Sequence, residues 1–132
     1  MCTVKYLDSG PPKMTDHPET SFLPLSARDF HILFVLSCGD SHGYGLVKAI
    51  EAQTDGLIRL DPANLYRAIQ RMVDSGLVED TEPPADGSGE RRRYYKITEH
   101  GRRVVAADAE RMRSLARAAE AARLISKSGR VS

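Results

Sequence analysis

Residues 60–76 read Leu-Asp-Pro-Ala-Asn-Leu-Tyr-Arg-Ala-Ile-Gln-Arg-Met-Val-Asp-Ser-Gly, and they carry a helix start and a helix stop at opposite ends. Asp61 offers a carboxylate to free backbone N–H groups, and Pro62 suits the first helical position. Gly76 readily takes the left-handed turn that ends a helix. Between them Leu65, Ile69, Met72 and Val73 recur at helical spacing and share one face. At roughly 100° per residue, Ala63, Asn64, Arg67, Gln70 and Arg71 point the other way. That face carries guanidiniums and amides, the groups whose geometry suits base edges and phosphates. It reads as a DNA-recognition helix.

The rest of the chain must supply a body for that helix. With 132 residues and 41% hydrophobic content, it makes one domain with tails. The formal net charge is only +1, so an argument for nucleic acid rests on where charge sits, not on its sum. No apolar run approaches a membrane span and no secretory signal is evident, which points to a cytoplasmic protein with no membrane partner. Cys2 and Cys38 have neither metal spacing nor a disulfide pattern, so no metal or cofactor is expected.

Residues 1–24, with Gly10, Pro11, Pro12 and Pro18, read as a flexible N-terminal tail, within which Met14 is an alternative start. Ser26 and Asp29 form a capping-box pattern. Phe30, Ile32, Leu33, Val35 and Leu36 then make a helix that is apolar nearly all round, ending at Gly39, with Cys38 as a small core hydrophobe. Such a helix meets two partners, its own domain and a second subunit. A turn over residues 40–43, with Ser41 as cap and His42 as turn residue, leads into a helix over about 44–54 that buries Leu46, Val47 and Ile50. Adjacent acid, serine and histidine do not make a triad, because those groups must converge from separate elements. With no nucleophile elbow, metal cluster or phosphate loop, the chain is not read as an enzyme.

After Gly76, residues 77–81 suit a strand. Residues 82–90, with Pro83, Pro84, Gly87 and Gly89, make a mobile tip, and residues 91–97 return as a strand led by Arg91, Arg92 and Arg93. Thr98 caps a last, alanine-rich helix running to about residue 125. Its stripe of Val105, Ala109, Met112, Ala116 and Ala119, widened by Val104 and Leu115, exceeds what one small domain can cover and suits a symmetry mate.

The order of elements is that of a winged helix-turn-helix, mostly α with a small β component (α+β), carrying a long C-terminal dimerisation helix. The divisions are tail 1–24, DNA-binding domain 25–98, dimerisation helix 99–125 and flexible tail 126–132. A charged helix face or arginine run alone is usually a solvated surface. Here a basic-outward third helix precedes a basic hairpin in a nearly neutral chain, and that conjunction favours DNA. The alternative is a winged helix that binds a protein partner without specific DNA.

Four motifs in order, Ser41-His42-Gly43-Tyr44-Gly45-Leu46, Leu60-Asp61-Pro62-Ala63-Asn64-Leu65-Tyr66-Arg67-Ala68-Ile69, Gly76-Leu77-Val78 and Arg92-Arg93-Tyr94-Tyr95-Lys96-Ile97-Thr98, resemble the PadR family of transcriptional regulators. With one helix after the wing, the chain is similar to the small, LmrR-like members. The resemblance implies a homodimeric repressor on a palindromic operator, released by a stress signal or a small ligand such as a hydrophobic or aromatic effector. It places Tyr66 and the start of its helix at the DNA and the wing on the backbone or minor groove. Where relatives often carry Ser-Pro-Gly-Thr, this chain has Asp61-Pro62-Ala63-Asn64, whose Asn64 amide can pair with adenine. It has no Trp, so an effector pocket would use residues such as Phe30, Phe34 and Met112. Dimer contacts are expected at Phe30, Phe34, Val105, Ala109, Met112, Ala116 and Ala119. DNA contacts are expected at Ala63, Asn64, Tyr66, Arg67, Gln70, Arg71, Arg91, Arg92 and Arg93.

Overall fold

The computed structural model describes residues 19–83 and 93–126. In chain order they form α1 (Ala27–Cys38), β1 (Ser41–His42), α2 (Gly43–Gln53), α3 (Pro62–Asp74), β2 (Val78–Thr81), β3 (Tyr94–Ile97) and α4 (Glu99–Ala121), preceded by a single 3-10 turn (Glu19–Phe22).

Local chemistry accounts for where each helix begins. The Ser26 hydroxyl accepts from the Asp29 N–H at 3.1 Å to open α1. The Asp61 carboxylate accepts from the Asn64 N–H at 3.3 Å ahead of Pro62. The Thr98 hydroxyl accepts from the Gly101 N–H at 2.9 Å at the head of α4. Gly76 takes the expected left-handed conformation, φ 82°, which turns the chain from α3 into β2. Each such cap contributes on the order of 1 kcal/mol.

One cap differs from expectation. His42, not Ser41, opens α2, its Nδ1 accepting from the Gly45 N–H at 3.0 Å. Ser41 and His42 are also extended, pairing antiparallel with Tyr95 and Tyr94. The expected two-stranded hairpin is therefore a three-stranded sheet in the order β1-β3-β2. On the other side of β3, Val78 faces Ile97 and Asp80 faces Tyr95.

The three helices close around one apolar core. Ile32, Leu33 and Leu36 from α1 meet Leu46 and Ile50 from α2, Leu65, Ala68, Ile69 and Met72 from α3, and Leu77, Val78, Tyr95 and Ile97 from the sheet. Val104 and Val105 complete it from α4, so Val105, expected in the dimer stripe, packs within its own protomer. The first turn of α4 is pressed onto the link between α3 and β2. A Cβ at Gly101 would lie 2.2 Å from the Leu77 carbonyl oxygen, and the Thr98 hydroxyl donates to the Gly76 carbonyl at 2.6 Å. Cys38, expected in the core, is exposed, because α1 turns that end outward. The 3-10 turn, inside the segment assigned to the tail, docks on α4 through Glu19 to Arg103 at 3.0 Å and Phe22 edge-on to His100. Beyond Asp108 the helix leaves the core, and it ends at Ala121, one turn short of expectation.

Candidate nucleic-acid interface

The face of α3 opposite its buried stripe is open and, apart from Ala63, polar. Asn64, Tyr66, Arg67, Gln70 and Arg71 are exposed, as is Ala63, while Leu65, Ala68, Ile69 and Met72 on the other side are buried. A Pro-opened helix with this division presents its N-terminal turn outward, where a recognition helix contacts base edges.

These side chains are already linked to one another. The Arg67 guanidinium donates to the Asn64 side-chain oxygen at 2.5 Å. That engages the amide oxygen adenine pairing would require and leaves the NH2 group free to donate. Arg93, just before β3, donates to the Tyr66 hydroxyl at 2.5 Å and lies 3.6 Å from the Asp80 carboxylate on β2. This hydrogen bond, more than the charge of Asp80, holds the Arg93 guanidinium above its ordinary value. Of the three wing arginines, Arg93 alone falls within the described residues; Arg91 and Arg92 lie outside them.

Between α3 and the sheet lies an open cleft of about 440 Å3, lined by His42, Gly43, Tyr44, Tyr66, Arg93 and Tyr95. It joins the start of α2 to the recognition helix and the wing. His42 packs edge-on against Tyr94 at 5.2 Å, and the exposed Tyr44 ring lies beneath the Lys48 ammonium, 5.6 Å from its centroid. Burial pushes the Tyr95 phenol up, with the Tyr66 phenol beside it adding to the effect, so Tyr95 remains a neutral wall of the cleft. His42 and Tyr44 line this cleft beside Tyr66 and Arg93, a placement not expected from the sequence.

Arg71 sits apart. It lines a second crevice of about 210 Å3 with Phe22, Leu25, Asp29, Met72 and Ser75, toward the C-terminal end of α3. The residues expected at a dimer contact divide as well. Phe34 and Leu115 are exposed at 40% and 61%, Ala109 and Ala116 are exposed, and Phe30, Met112 and Ala119 are half-buried. Phe30 and Phe34 stack at 6.0 Å on the outer side of α1. Asp108, fully buried where α4 leaves the core, accepts from Arg111 at 2.6 Å through Oδ1, while its Oδ2 has no hydrogen-bond partner among the described residues. Nothing in the sequence pattern singled it out.

Among the described residues, no group of three or more His, Cys, Asp or Glu side chains could hold a metal ion, and no helix is long and apolar enough to cross a membrane.

A family model described as the transcriptional regulator PadR-like family matches residues 32–107. Among solved structures, the chain is similar to a transcriptional regulator from Clostridium thermocellum, at 30% identity and TM-score 0.59, covering 69% of this chain and 84% of that one. It is also similar in fold to a PadR family transcription regulator from Clostridium difficile R20291, at 23% identity and TM-score 0.61, covering 72% of this chain and 96% of that one. A third likeness, again of fold, is to Bacillus subtilis PadR in complex with operator DNA, at 17% identity and TM-score 0.54, over 64% of this chain and 47% of that one. No curated protein matches.

Proposed function

The chain belongs to the PadR-like family of transcriptional regulators, DNA-binding proteins rather than enzymes, and on that premise we propose that it is a homodimeric repressor that reads a palindromic operator with α3 and the wing. The observation that carries this reading is the continuous exposed surface of Asn64, Arg67 and Gln70, extended onto the wing by the Tyr66–Arg93 hydrogen bond. Asn64, Arg67 and Gln70 address bases or phosphates, and Ala63 leaves room for close approach. Arg93, with Arg91 and Arg92, adds salt-sensitive attraction to the backbone. Arg71, set toward the far end of α3, serves as a phosphate contact. Asp61 remains the anionic cap beside this surface.

Two protomers join through the half of α4 beyond Asp108 and the Phe30–Phe34 side of α1. That pairing covers Leu115 and the alanine positions 109, 116 and 119, and sets the two recognition helices in successive major grooves, with half-sites about 10 bp apart. A small hydrophobic or aromatic effector, held near Phe30, Phe34 and Met112, relieves repression. The protein acts in the cytoplasm, where its operator is.

The test is a gel-shift titration of genomic fragments at two salt concentrations. A specific fragment bound with a steep loss of affinity at the higher salt supports the reading. Uniform weak binding, with no preferred fragment, removes it.

A further inference from the structure

The Tyr66–Arg93 contact spans two elements far apart in sequence, the middle of α3 and the residue leading into β3. Its chemistry is asymmetric. A guanidinium is a planar fork of five N–H donors with no acceptor, and a phenol oxygen can accept while its own proton stays free. In this structure the Tyr66 oxygen is the acceptor and an Arg93 terminal nitrogen the donor, so in the free protein Tyr66 already has a partner. The other terminal nitrogen of Arg93 faces Asp80 at 3.6 Å. With both terminal nitrogens engaged, the plane of the fork is fixed, and its remaining N–H groups are left for a further acceptor. The Arg93 side chain is nonetheless 58% exposed, so this fixing does not come from packing. A surface arginine otherwise samples many rotamers and must be ordered when it binds.

We propose that Tyr66 is a positioning residue: it contributes to DNA binding through Arg93, by tying the wing to the recognition helix and presenting the guanidinium to a backbone phosphate already oriented. This rests on the operator-reading function proposed above. The division of labour follows from charge. Asp80 orients Arg93 but partly cancels its charge, whereas the neutral Tyr66 hydroxyl orients it and leaves the full charge for phosphate. Where the resemblance alone places Tyr66 directly on DNA, the geometry makes it the support and Arg93 the contact.

A double-mutant cycle on operator affinity separates the two roles. Tyr66→Phe removes only the hydroxyl from a side chain 46% exposed, so the fold tolerates it. We expect it to weaken operator binding roughly 2- to 12-fold, the worth of one hydrogen bond, and to have no effect when Arg93 is already alanine. Arg93→Ala is expected to lower the slope of log affinity against log salt by about one. The same Tyr66→Phe loss in both backgrounds, or an unchanged slope for Arg93→Ala, overturns the proposal. A measurement without DNA keeps the link testable should the operator reading itself fail. In the free protein, Tyr66→Phe should speed amide hydrogen exchange at Tyr94 and Tyr95 and add nothing once Arg93 is alanine; unchanged exchange, or the same change in both backgrounds, also overturns it.

Discussion

The recognition face of α3 and the far half of α4 are both open to solvent, yet they are built in opposite ways. On α3 the exposed groups are polar and already bonded to one another, Arg67 to Asn64 and Tyr66 to Arg93. On α4 beyond Asp108 the exposed groups include Leu115, Ala109 and Ala116, beside the half-buried Met112 and Ala119. A preformed polar surface suits a ligand that supplies charge and hydrogen-bond acceptors. An exposed apolar face suits a surface of its own kind, because burying it returns free energy, at about 25 cal/mol per Å2. One molecule thus presents two surfaces of different chemistry, which can be disturbed independently.

The largest expected effect falls where the two regions join. At Gly101 a methyl group would lie 2.2 Å from the Leu77 carbonyl oxygen and 2.8 Å from Ile97 Cγ1. The first is a backbone atom and the second belongs to a buried side chain. Gly101→Ala should therefore cost about 3 kcal/mol, the upper end for overpacking, and lower Tm by roughly 15 °C in thermal denaturation. A variant with normal Tm would mean that α4 can shift against the reading domain, and the two regions would not share one rigid frame.

Next come two substitutions expected to act on one region each. Leu115→Glu places a charge on the apolar face of α4, where the native side chain is 61% exposed. Protomer folding should change by no more than about 0.5 kcal/mol, while sedimentation at micromolar concentration shows the dimer lost. Arg67→Ala should leave the dimer intact and weaken operator binding by about 1–3 kcal/mol if the guanidinium reads a guanine. Equal weakening on every DNA sequence would identify a phosphate contact instead. If either variant produced the other's phenotype, the contrast between the two surfaces would fail.

How much of this could be read before the structure depended on whether the determinant was local. As a helix, α3 was legible because its cap, its first-turn proline, its terminal glycine and its apolar period all lie within residues 61–76. The wing strands were legible in outline for the same reason. β1 was not, since two residues have no period and become a strand only against the edge of β3. Cys38 looked internal because α1 is apolar nearly all round, but which of its sides faces outward is decided by α4. Asp108 resembled any solvated helix position, and its burial depends on where α4 leaves the core. Among three consecutive arginines, the sequence offered no reason to prefer Arg93; its partner, Tyr66, is distant along the chain.

The smallest effect tests whether the near half of α4 is independent of the far half. Glu19 anchors the 3-10 turn on α4 through Arg103 at 3.0 Å and His100 at 3.6 Å. The Arg103 hydrogen bond holds its carboxyl below the ordinary value of 4.5, against an opposing push from burial. A carboxyl lowered on folding binds its proton more weakly in the native state than in the unfolded chain. Its contribution to stability is therefore fully present above about pH 4.5 and is lost as pH falls through the folded value. Both side chains are more than one-third exposed, so the contribution at neutral pH should stay within about 0.5 kcal/mol. The urea midpoints of the wild type and Glu19→Gln should differ slightly at pH 7 and converge as pH is lowered below 4.5. Dimer affinity should be the same for both at every pH. A shift in dimer affinity with Glu19→Gln would show that the N-terminal turn sets the direction in which α4 leaves the core, and that the near and far halves of the helix act as one lever.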